Sequence, residues 1–174
     1  MQEFLKNIAH HGKKLANKNL GQNFLKSEVF INQIVESAEI NPHVHVVEIG
    51  SGLGSLTYAI LQKTANYTAI EKDATLVEML AEQFPQGKFI HGDALKFDFR
   101  KIITQNTMII SNLPYNIGTK LIVKLGIEVL SQINGMVIML QKDVIQKITS
   151  KFGSENYHHL GIFFQNFCEI QHVC

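Results

Sequence analysis

The sequence has few cysteines and no long apolar run, and each of these absences excludes a class of protein. Its two cysteines, Cys168 and Cys174, are too few and too close together to staple a secreted fold with disulfides. The longest clear apolar run, from Met136 to Leu140, is far too short to span a membrane. The segment "MQEFLKNIAHHGKK" lacks the apolar stretch of a secretory signal. We therefore expect a cytoplasmic protein with reduced thiols and no membrane partner.

The chain also lacks a strong charge of either sign. A length of 174 residues with 45% hydrophobic residues fits one soluble domain, and a net charge of +1 does not mark a nucleic-acid binder. The distribution of charge is more informative, because the stretch from Phe4 to Ser27 contains five lysines and no acid. Residues 1–27 are therefore a candidate basic arm, in which Lys13, Lys14 and Lys18 could contact nucleic-acid phosphates. A solvated tail would have the same composition.

Strand-like and helical segments alternate along the rest of the chain. We predict strands at 44–49, 67–70, 88–91, 108–111 and 135–140. We predict helices at 28–38, from the glycine loop to 61, at 74–84, from 118 or 119 to 130, and from the fifth strand to about 150. This alternation predicts an α/β fold with a mostly parallel sheet and helices on both faces. Ligands bind such sheets at the carboxyl ends of the strands.

The first of these strand ends is the glycine loop in "VVEIGSGLGSLT". Gly50, Gly52 and Gly54 are spaced two apart, whereas the dinucleotide fingerprint is Gly-x-Gly-x-x-Gly and binds a pyrophosphate. A loop of this spacing, preceded by Glu48, suits a ligand that carries a positive charge and no phosphate. S-adenosylmethionine is such a ligand, and Glu48 would lie near its methionine end. Three glycines could also form only a tight turn.

Acidic residues follow the next two strands. Glu71 ends the second strand, about 20 residues after the first loop glycine, where it could accept hydrogen bonds from both ribose hydroxyls. Asp93 follows the third strand and could accept from the adenine amine. Each acid alone could be a solvated strand end, but together with the glycine loop they predict a cofactor site.

The fourth strand ends in the sequence Asn112-Leu113-Pro114-Tyr115. The exocyclic amine of adenine is a poor nucleophile, and an enzyme that methylates it needs acceptors that orient its two N–H bonds. The side-chain oxygen of Asn112 and the carbonyl of Leu113 could be those acceptors, and Pro114 would aim that carbonyl. Tyr115 offers a face for stacking an extruded base. We therefore predict a catalytic site in this loop, although as a turn alone it is unremarkable.

Six segments of the chain, taken together, resemble the KsgA-type small-subunit ribosomal RNA adenine dimethyltransferases. They are "NLGQNFL", "VVEIGSGLGSLT", "AIEKD", "GDAL", "SNLPYNIGTKL" and "MLQKDVIQKI", in this order along the chain. The resemblance implies a Rossmann-like methyltransferase fold over residues 1–174. It also implies methyl transfer from S-adenosylmethionine to N6 of two adjacent adenosines near the 3′ end of small-subunit rRNA, within a pre-assembled subunit, during ribosome biogenesis. Residues 1–27 would then include a segment that covers the cofactor. The cofactor-binding residues that it implies are Gln22, Asn23, Leu25, Glu48, Gly50, Gly52, Gly54, Glu71, Lys72, Asp93, Ala94 and Asn112.

The chain also departs from the pattern of this family. Ser51 stands where the family usually has proline, and His159 stands where it usually has arginine. The family continues beyond this length with further strands and a helical domain, so we expect a sheet that stops before its last strands and no such domain. We further expect a monomer without a metal, because the adjacent histidine pairs lack partners at ligand spacing.

Two alternative functions remain open at this point. One is a non-catalytic RNA-binding factor for small-subunit assembly. The other is a large-subunit rRNA adenine methyltransferase of the macrolide-resistance type, whose members usually have other residues at the positions of Gly21 and Leu113. Finally, Leu160, Phe163, Phe164 and Phe167 have helical spacing, and we expect them to be core residues.

Overall fold

The structure is a computed structural model that describes residues 1–6 and 24–173. Its strands are β1 (His45–Ile49), β2 (Tyr67–Glu71), β3 (Lys88–His91), β4 (Thr107–Asn112) and β5 (Gly135–Met139). Its helices are α1 (Glu28–Ser37), α2 (Ser55–Leu61), α3 (Ala74–Gln83), α4 (Gly118–Glu128), α5 (Lys142–Thr149) and α6 (His159–Phe167). Two short 3₁₀ turns, Phe99–Lys101 and Leu130–Gln132, were not predicted. The predicted strands and helices match these elements to within about two residues, as expected for segments with strong periodicity.

The five strands form one parallel sheet in the order β3-β2-β1-β4-β5. The prediction of an α/β fold with a parallel sheet is therefore confirmed. All five residues of β1 are buried, because this strand lies at the centre of the sheet and is covered on both faces. The strand order reverses between β1 and β4, and such a reversal opens a crevice at the carboxyl ends of the two strands.

Alternate residues of the central strands enter two separate cores, one on each face of the sheet. Val46 packs with residues of α1 and α2 on one face. Val47, its neighbour in β1, packs with residues of α4, α5 and α6 on the other. Side chains alternate between the faces of a strand, so helices on both faces explain why β1 reads as a continuous apolar run. The predicted placement of helices on both faces is confirmed.

The first six residues pack on the body of the protein. Residues 2–6 are helical, and the side chain of Leu5 is buried against the core that contains α1 and α2. The ring of Phe4 stacks on Tyr58 with the ring centroids 4.6 Å apart. These contacts give the start of the predicted arm a structural role. The three lysines predicted to contact RNA, Lys13, Lys14 and Lys18, lie outside the described residues.

The expectation that four apolar side chains of α6 are core residues was wrong for one of them. Leu160 and Phe164 are buried in the core, but Phe167, at the end of α6, is 68% exposed. Helical spacing places Phe167 on the same side of α6 as the core residues, but the helix ends at this residue, beyond the helices that cover its start. Ser27 immediately precedes α1, and its side chain makes no capping hydrogen bond. Within the described residues, no helix is long and apolar enough to cross a membrane.

Candidate active site

The glycine loop leaves the end of β1 in a conformation that few other residues adopt. Gly50, Gly52 and Gly54 have φ angles of 74°, 55° and 84°. These values lie in the left-handed region, where a β-carbon collides with the backbone. At Gly54 a β-carbon would also lie 2.8 Å from Leu80 and 2.9 Å from Phe84, so there is no room for a side chain. The conformation and the packing together explain the spacing of the three glycines.

The glycine loop meets the Asn112–Tyr115 loop where the strand order reverses. The hydroxyl of Ser111 in β4 donates a hydrogen bond to the carbonyl of Ile49 in β1 and joins the two strand ends. A β-carbon added at Gly50 would lie 3.9 Å from Cδ of Pro114. The two predicted motifs, more than 50 residues apart in sequence, therefore lie close to each other in the fold.

A cleft opens between these loops and encloses about 690 Å³ of space, including its solvent-open mouth. Eight of the predicted site residues line it: Leu25, Glu48, Gly50, Gly52, Glu71, Lys72, Asn112 and Pro114. Five residues that were not predicted also line it: Phe24, Ser51, Leu53, Ser55 and Leu56. Two further predicted residues, Gln22 and Asn23, lie outside the described part of the chain.

Glu71 links the end of β2 to the glycine loop. Its Oε2 accepts a hydrogen bond of 2.9 Å from the backbone N–H of Gly52. Its Oε1 accepts two more, of 2.8 Å from the N–H of Lys72 and 3.0 Å from that of Asp73. A carboxylate offers about four acceptor positions, so these amides leave about one for a ligand. Binding a pair of hydroxyls would require the Gly52 amide to be shared or displaced.

Glu48 is a buried acid that lines the cleft and is only 1% exposed. Its Oε2 accepts hydrogen bonds from the hydroxyls of Thr57, at 2.7 Å, and Tyr67, at 2.5 Å. Burial raises the pKa of the Glu48 carboxyl to about 7, against the lowering effect of these two donors, and the nearby Glu71 adds to the rise. Burial also raises the pKa of the Tyr67 phenol. Glu48 therefore changes its protonation near neutral pH.

Asp93 and Lys72 form an ion pair at 2.9 Å beside the cleft. The hydrogen bond from Lys72 lowers the pKa of Asp93, whose other carboxylate oxygen accepts from the backbone N–H of Leu95 at 3.0 Å. Lys72 lines the cleft, whereas Asp93 does not. Ala94, the next residue, is buried in the core that contains α4. Asp93, the predicted adenine contact, therefore lies outside the cleft and is joined to it through Lys72.

The loop after β4 is fixed at three points. Leu113 is buried, and its backbone N–H donates to the carbonyl of Met139 at the end of β5. The carbonyl of Pro114 accepts from the N–H groups of Ile117 and Gly118, both at 3.2 Å, and starts α4. Tyr115 is 58% exposed, so its ring is accessible to a partner. Within the described part of the chain, no group donates to the carbonyl of Leu113.

Some of the residues around the cleft were not predicted from the sequence. Phe24 covers the loop, since a β-carbon at Gly52 would lie 3.2 Å from its ring. The hydroxyl of Ser55 donates to the carbonyl of Leu25 at 2.6 Å and ties that segment to α2. Neither contact has a sequence signal of its own, although Phe24 and Leu25 belong to the motif "NLGQNFL". No group of three or more His, Cys, Asp or Glu side chains in residues 1–6 and 24–173 could hold a metal ion.

The sequence of this chain matches a known protein family and several curated relatives. The model of the family described as ribosomal RNA adenine dimethylase matches residues 13–174. The chain belongs to this family. Relatives named ribosomal RNA small subunit methyltransferase A are 37% identical over 164 residues in Prosthecochloris aestuarii and 39% identical over 160 residues in Malacoplasma penetrans. These matches cover 94% and 91% of this chain, and 62% and 58% of the relatives. The chain therefore spans about 60% of the length of these curated relatives.

Solved structures of methyltransferases share the fold. A dimethyladenosine transferase from Plasmodium falciparum superimposes with a TM-score of 0.78 at 27% identity, over 87% of this chain and 55% of that chain. The 23S rRNA methyltransferase ErmE superimposes with a TM-score of 0.66 at 28% identity, over 75% of this chain and 53% of that chain. The predicted Rossmann-like methyltransferase fold is confirmed by these matches.

Proposed function

We propose that this member of the ribosomal RNA adenine dimethylase family transfers methyl groups from S-adenosylmethionine to N6 of two adjacent adenosines near the 3′ end of small-subunit rRNA. The observation that carries the proposal is the close approach of the glycine loop to the Asn112–Tyr115 loop, where a β-carbon added at Gly50 would lie 3.9 Å from Cδ of Pro114. A methyl donor and its acceptor must meet, and this contact brings the two predicted binding loops together. The curated relatives support the small subunit as the source of the RNA, because they are named for it.

The residues that line the cleft fit the proposed cofactor. Two buried carboxylates, Glu48 and Glu71, line it, and Lys72 is the one basic side chain among its described lining residues. That lysine is paired with Asp93. Two acids and a single lysine that is already paired attract a cation, and these side chains offer no cluster of hydrogen-bond donors for a phosphate. S-adenosylmethionine, when bound, supplies an electrophilic methyl group.

We assign the cofactor-binding roles to the residues around the glycine loop. Gly50 and Gly52 let the ligand approach the backbone closely. Glu71 accepts from the ribose, and Lys72 and Asp93 border the adenine. Gln22, Asn23 and Leu25 belong to the segment that covers the ligand, and the bond from Ser55 to the carbonyl of Leu25 supports that placement.

Asn112 and Leu113 orient the amine of the target adenosine. The side-chain oxygen of Asn112 and the carbonyl of Leu113 accept its two N–H bonds, so the nitrogen lone pair points into the cleft. A strong base is not needed, because the amine becomes acidic once it is alkylated and then loses its proton to water. The Leu113 carbonyl is suited to this role, since within the described residues no other group donates to it. Tyr115 stacks on the extruded base with its exposed ring.

The basic arm positions the RNA in this proposal. Lys13, Lys14 and Lys18 contact phosphates of the small-subunit rRNA, and their charges make the binding dependent on salt. The protein acts on a pre-assembled small subunit rather than on naked RNA, during ribosome biogenesis.

The experiment that tests the site separates cofactor binding from transfer. Asn112→Ala removes an acceptor for the amine, so methyl transfer to small subunits should fall by at least about 100-fold while cofactor affinity changes little. Glu71→Ala should weaken cofactor binding at least about tenfold, because it removes a charged acceptor from the ribose. Asn116→Ala, an exposed residue of the same loop, is the matched control and should retain activity. An active Asn112→Ala variant would contradict the role of this loop.

A further inference from the structure

Tyr67 brings a buried phenol against Glu48, and the proposed reaction does not use it. Tyr67 also lies outside the six segments that resemble the family. It is 3% exposed, and Thr57, the second neighbour of Glu48, is fully buried. The hydroxyls of Tyr67 and Thr57 lie 2.5 Å and 2.7 Å from the same carboxylate oxygen, Oε2 of Glu48, and 3.0 Å from each other. The three oxygens therefore form a closed triangle beside the cleft, which Glu48 lines.

Three elements of the fold hold this triangle. Glu48 lies in β1 opposite Ala69 of β2, so Tyr67, two residues before Ala69, points to the same face of the sheet. Thr57 belongs to α2, the helix that follows the glycine loop and packs on that face. Because all three side chains are buried, the packing of the core fixes their arrangement.

The triangle satisfies both protonation states of Glu48. When the carboxyl is ionised, each hydroxyl donates its proton to Oε2. When Oε2 carries a proton, the groups can donate in a ring, from Glu48 to Thr57, from Thr57 to Tyr67 and from Tyr67 back to Oε2, because each hydroxyl both donates and accepts. One proton can therefore enter or leave by rotation of the hydroxyl groups alone.

The charges around Glu48 keep these two states close in free energy near neutral pH. Burial and the charge of Glu71 favour the protonated form, the bonds from Tyr67 and Thr57 favour the ionised form, and the pKa of Glu48 is about 7. Tyr67 and Glu71 are its titratable neighbours, whereas β4 and the buried faces of α1 and α2 are uncharged in the described part of the chain. Lys72, the basic residue of the cleft, is paired in the structure. A positive charge that enters the cleft therefore shifts Glu48 towards its ionised form.

We propose that Tyr67 and Thr57 are positioning residues that hold Glu48 ready to ionise, so that binding of S-adenosylmethionine transfers a proton from Glu48 to the solvent. The O–H bond of the carboxyl breaks, its electron pair stays on Oε2, and both hydroxyls turn to donate to that oxygen. Glu48 is only 1% exposed, so the sulfonium acts on it through its electric field and needs no contact with it. This inference rests on the proposed function.

The same charge distinguishes the methyl donor from the product that remains after transfer. S-adenosylhomocysteine has a neutral sulfur and the same amino-acid and nucleoside portions. It should therefore displace fewer protons and gain less from an ionised Glu48. The triangle then favours exchange of product for donor as the pH rises through neutrality.

Calorimetric titration of the 174-residue chain counts the displaced protons. Binding enthalpies measured at pH 7 in phosphate and in imidazole buffer, which take up protons with very different heats, give the number of protons released per ligand. If the sulfonium lowers the proton affinity of Glu48 tenfold, about 0.4 proton should leave per S-adenosylmethionine, because the carboxyl is half protonated at its pKa of about 7. S-adenosylhomocysteine should release clearly fewer, and Glu48→Gln should abolish the difference between the two ligands.

The pH dependence of affinity tests the two positioning residues. In the unsubstituted chain, the affinity for S-adenosylmethionine relative to S-adenosylhomocysteine should rise about fivefold from pH 6 to pH 8. Tyr67→Phe and Thr57→Val each remove a donor that favours the ionised form, so the midpoint of this rise should move up by about one pH unit. Thr57→Ser keeps the hydroxyl and should restore the original midpoint. Tyr58→Phe, which alters a phenol stacked on Phe4, is the matched control and should leave the midpoint unchanged.

Equal proton release by the two ligands would overturn the inference, and this measurement needs no substituted protein. An original midpoint in a folded Tyr67→Phe or Thr57→Val variant would show that the hydroxyl only supports the fold, and it would overturn the positioning role. If the unsubstituted chain bound neither ligand, the proposed cofactor would itself be wrong. Binding of both ligands without a difference in proton release would contradict this inference alone.

Discussion

Glu48 should make the stability of this protein fall as the pH rises through neutrality. Burial raises the pKa of its carboxyl from an ordinary value of 4.5 to about 7 in the folded chain. Between these values the folded chain holds a proton that the unfolded chain releases. The stabilising contribution is therefore fully present below pH 4.5 and is lost as the pH rises through 7.

The size of the effect follows from the two pKa values. At about 1.4 kcal/mol for each tenfold change in proton affinity, the rise corresponds to roughly 3 kcal/mol in total. Most of this should be lost between pH 5 and pH 8. Glu48→Gln keeps the shape of the side chain and an oxygen that can accept from Thr57 and Tyr67, but it cannot ionise.

Urea unfolding of both proteins from pH 5 to pH 8 measures this contribution. The difference in the free energy of unfolding, unsubstituted chain minus Glu48→Gln, should decrease steadily across the series. Glu82→Gln, which replaces an exposed carboxyl on α3, controls for the loss of a charge. A difference that stays constant or grows with pH would refute the reasoning.

Two substitutions test the packing that supports the site. Gly54→Ala should lower the free energy of unfolding by about 2–4 kcal/mol in urea titrations, because it combines a left-handed φ with collisions at Leu80 and Phe84. An unchanged urea midpoint would contradict this prediction, because it would mean that the loop accommodates the methyl group with no loss of free energy of unfolding. Phe99→Ala should lower the free energy of unfolding by about 3–5 kcal/mol, since this ring is fully buried in the core below α4. Phe152→Ala, at a ring that is 88% exposed, should cost much less in the same titration, and equal losses would contradict the burial argument.

Much of the fold follows from local patterns in the sequence. The apolar run of β1, the three glycines and the alternation of strand and helix predict a parallel sheet with a site at its carboxyl edge, because each depends on residues close together in the chain. The position of Phe167 was not predictable in this way, since its exposure depends on where α6 ends relative to α4 and α5.

The details of the candidate site depend on contacts between distant segments. The partners of Glu48 come from α2 and β2, and they bond to the same carboxylate oxygen. The three amides around Glu71 likewise result from the exact packing of the loop. No spacing in the sequence encodes these distances, so the sequence predicts which residues surround the cleft better than it predicts what each one contacts.

The most direct test of the account is the product formed on small ribosomal subunits that lack the modification. Subunits from cells without it are incubated with this chain and S-adenosylmethionine that carries a labelled methyl group, and the RNA is then digested and sequenced by mass spectrometry. The account predicts N6,N6-dimethyladenosine at two adjacent adenosines near the 3′ end, and its loss with Asn112→Ala. Label at another base, or cofactor binding without any transfer, would contradict the claim that this chain is the methyltransferase.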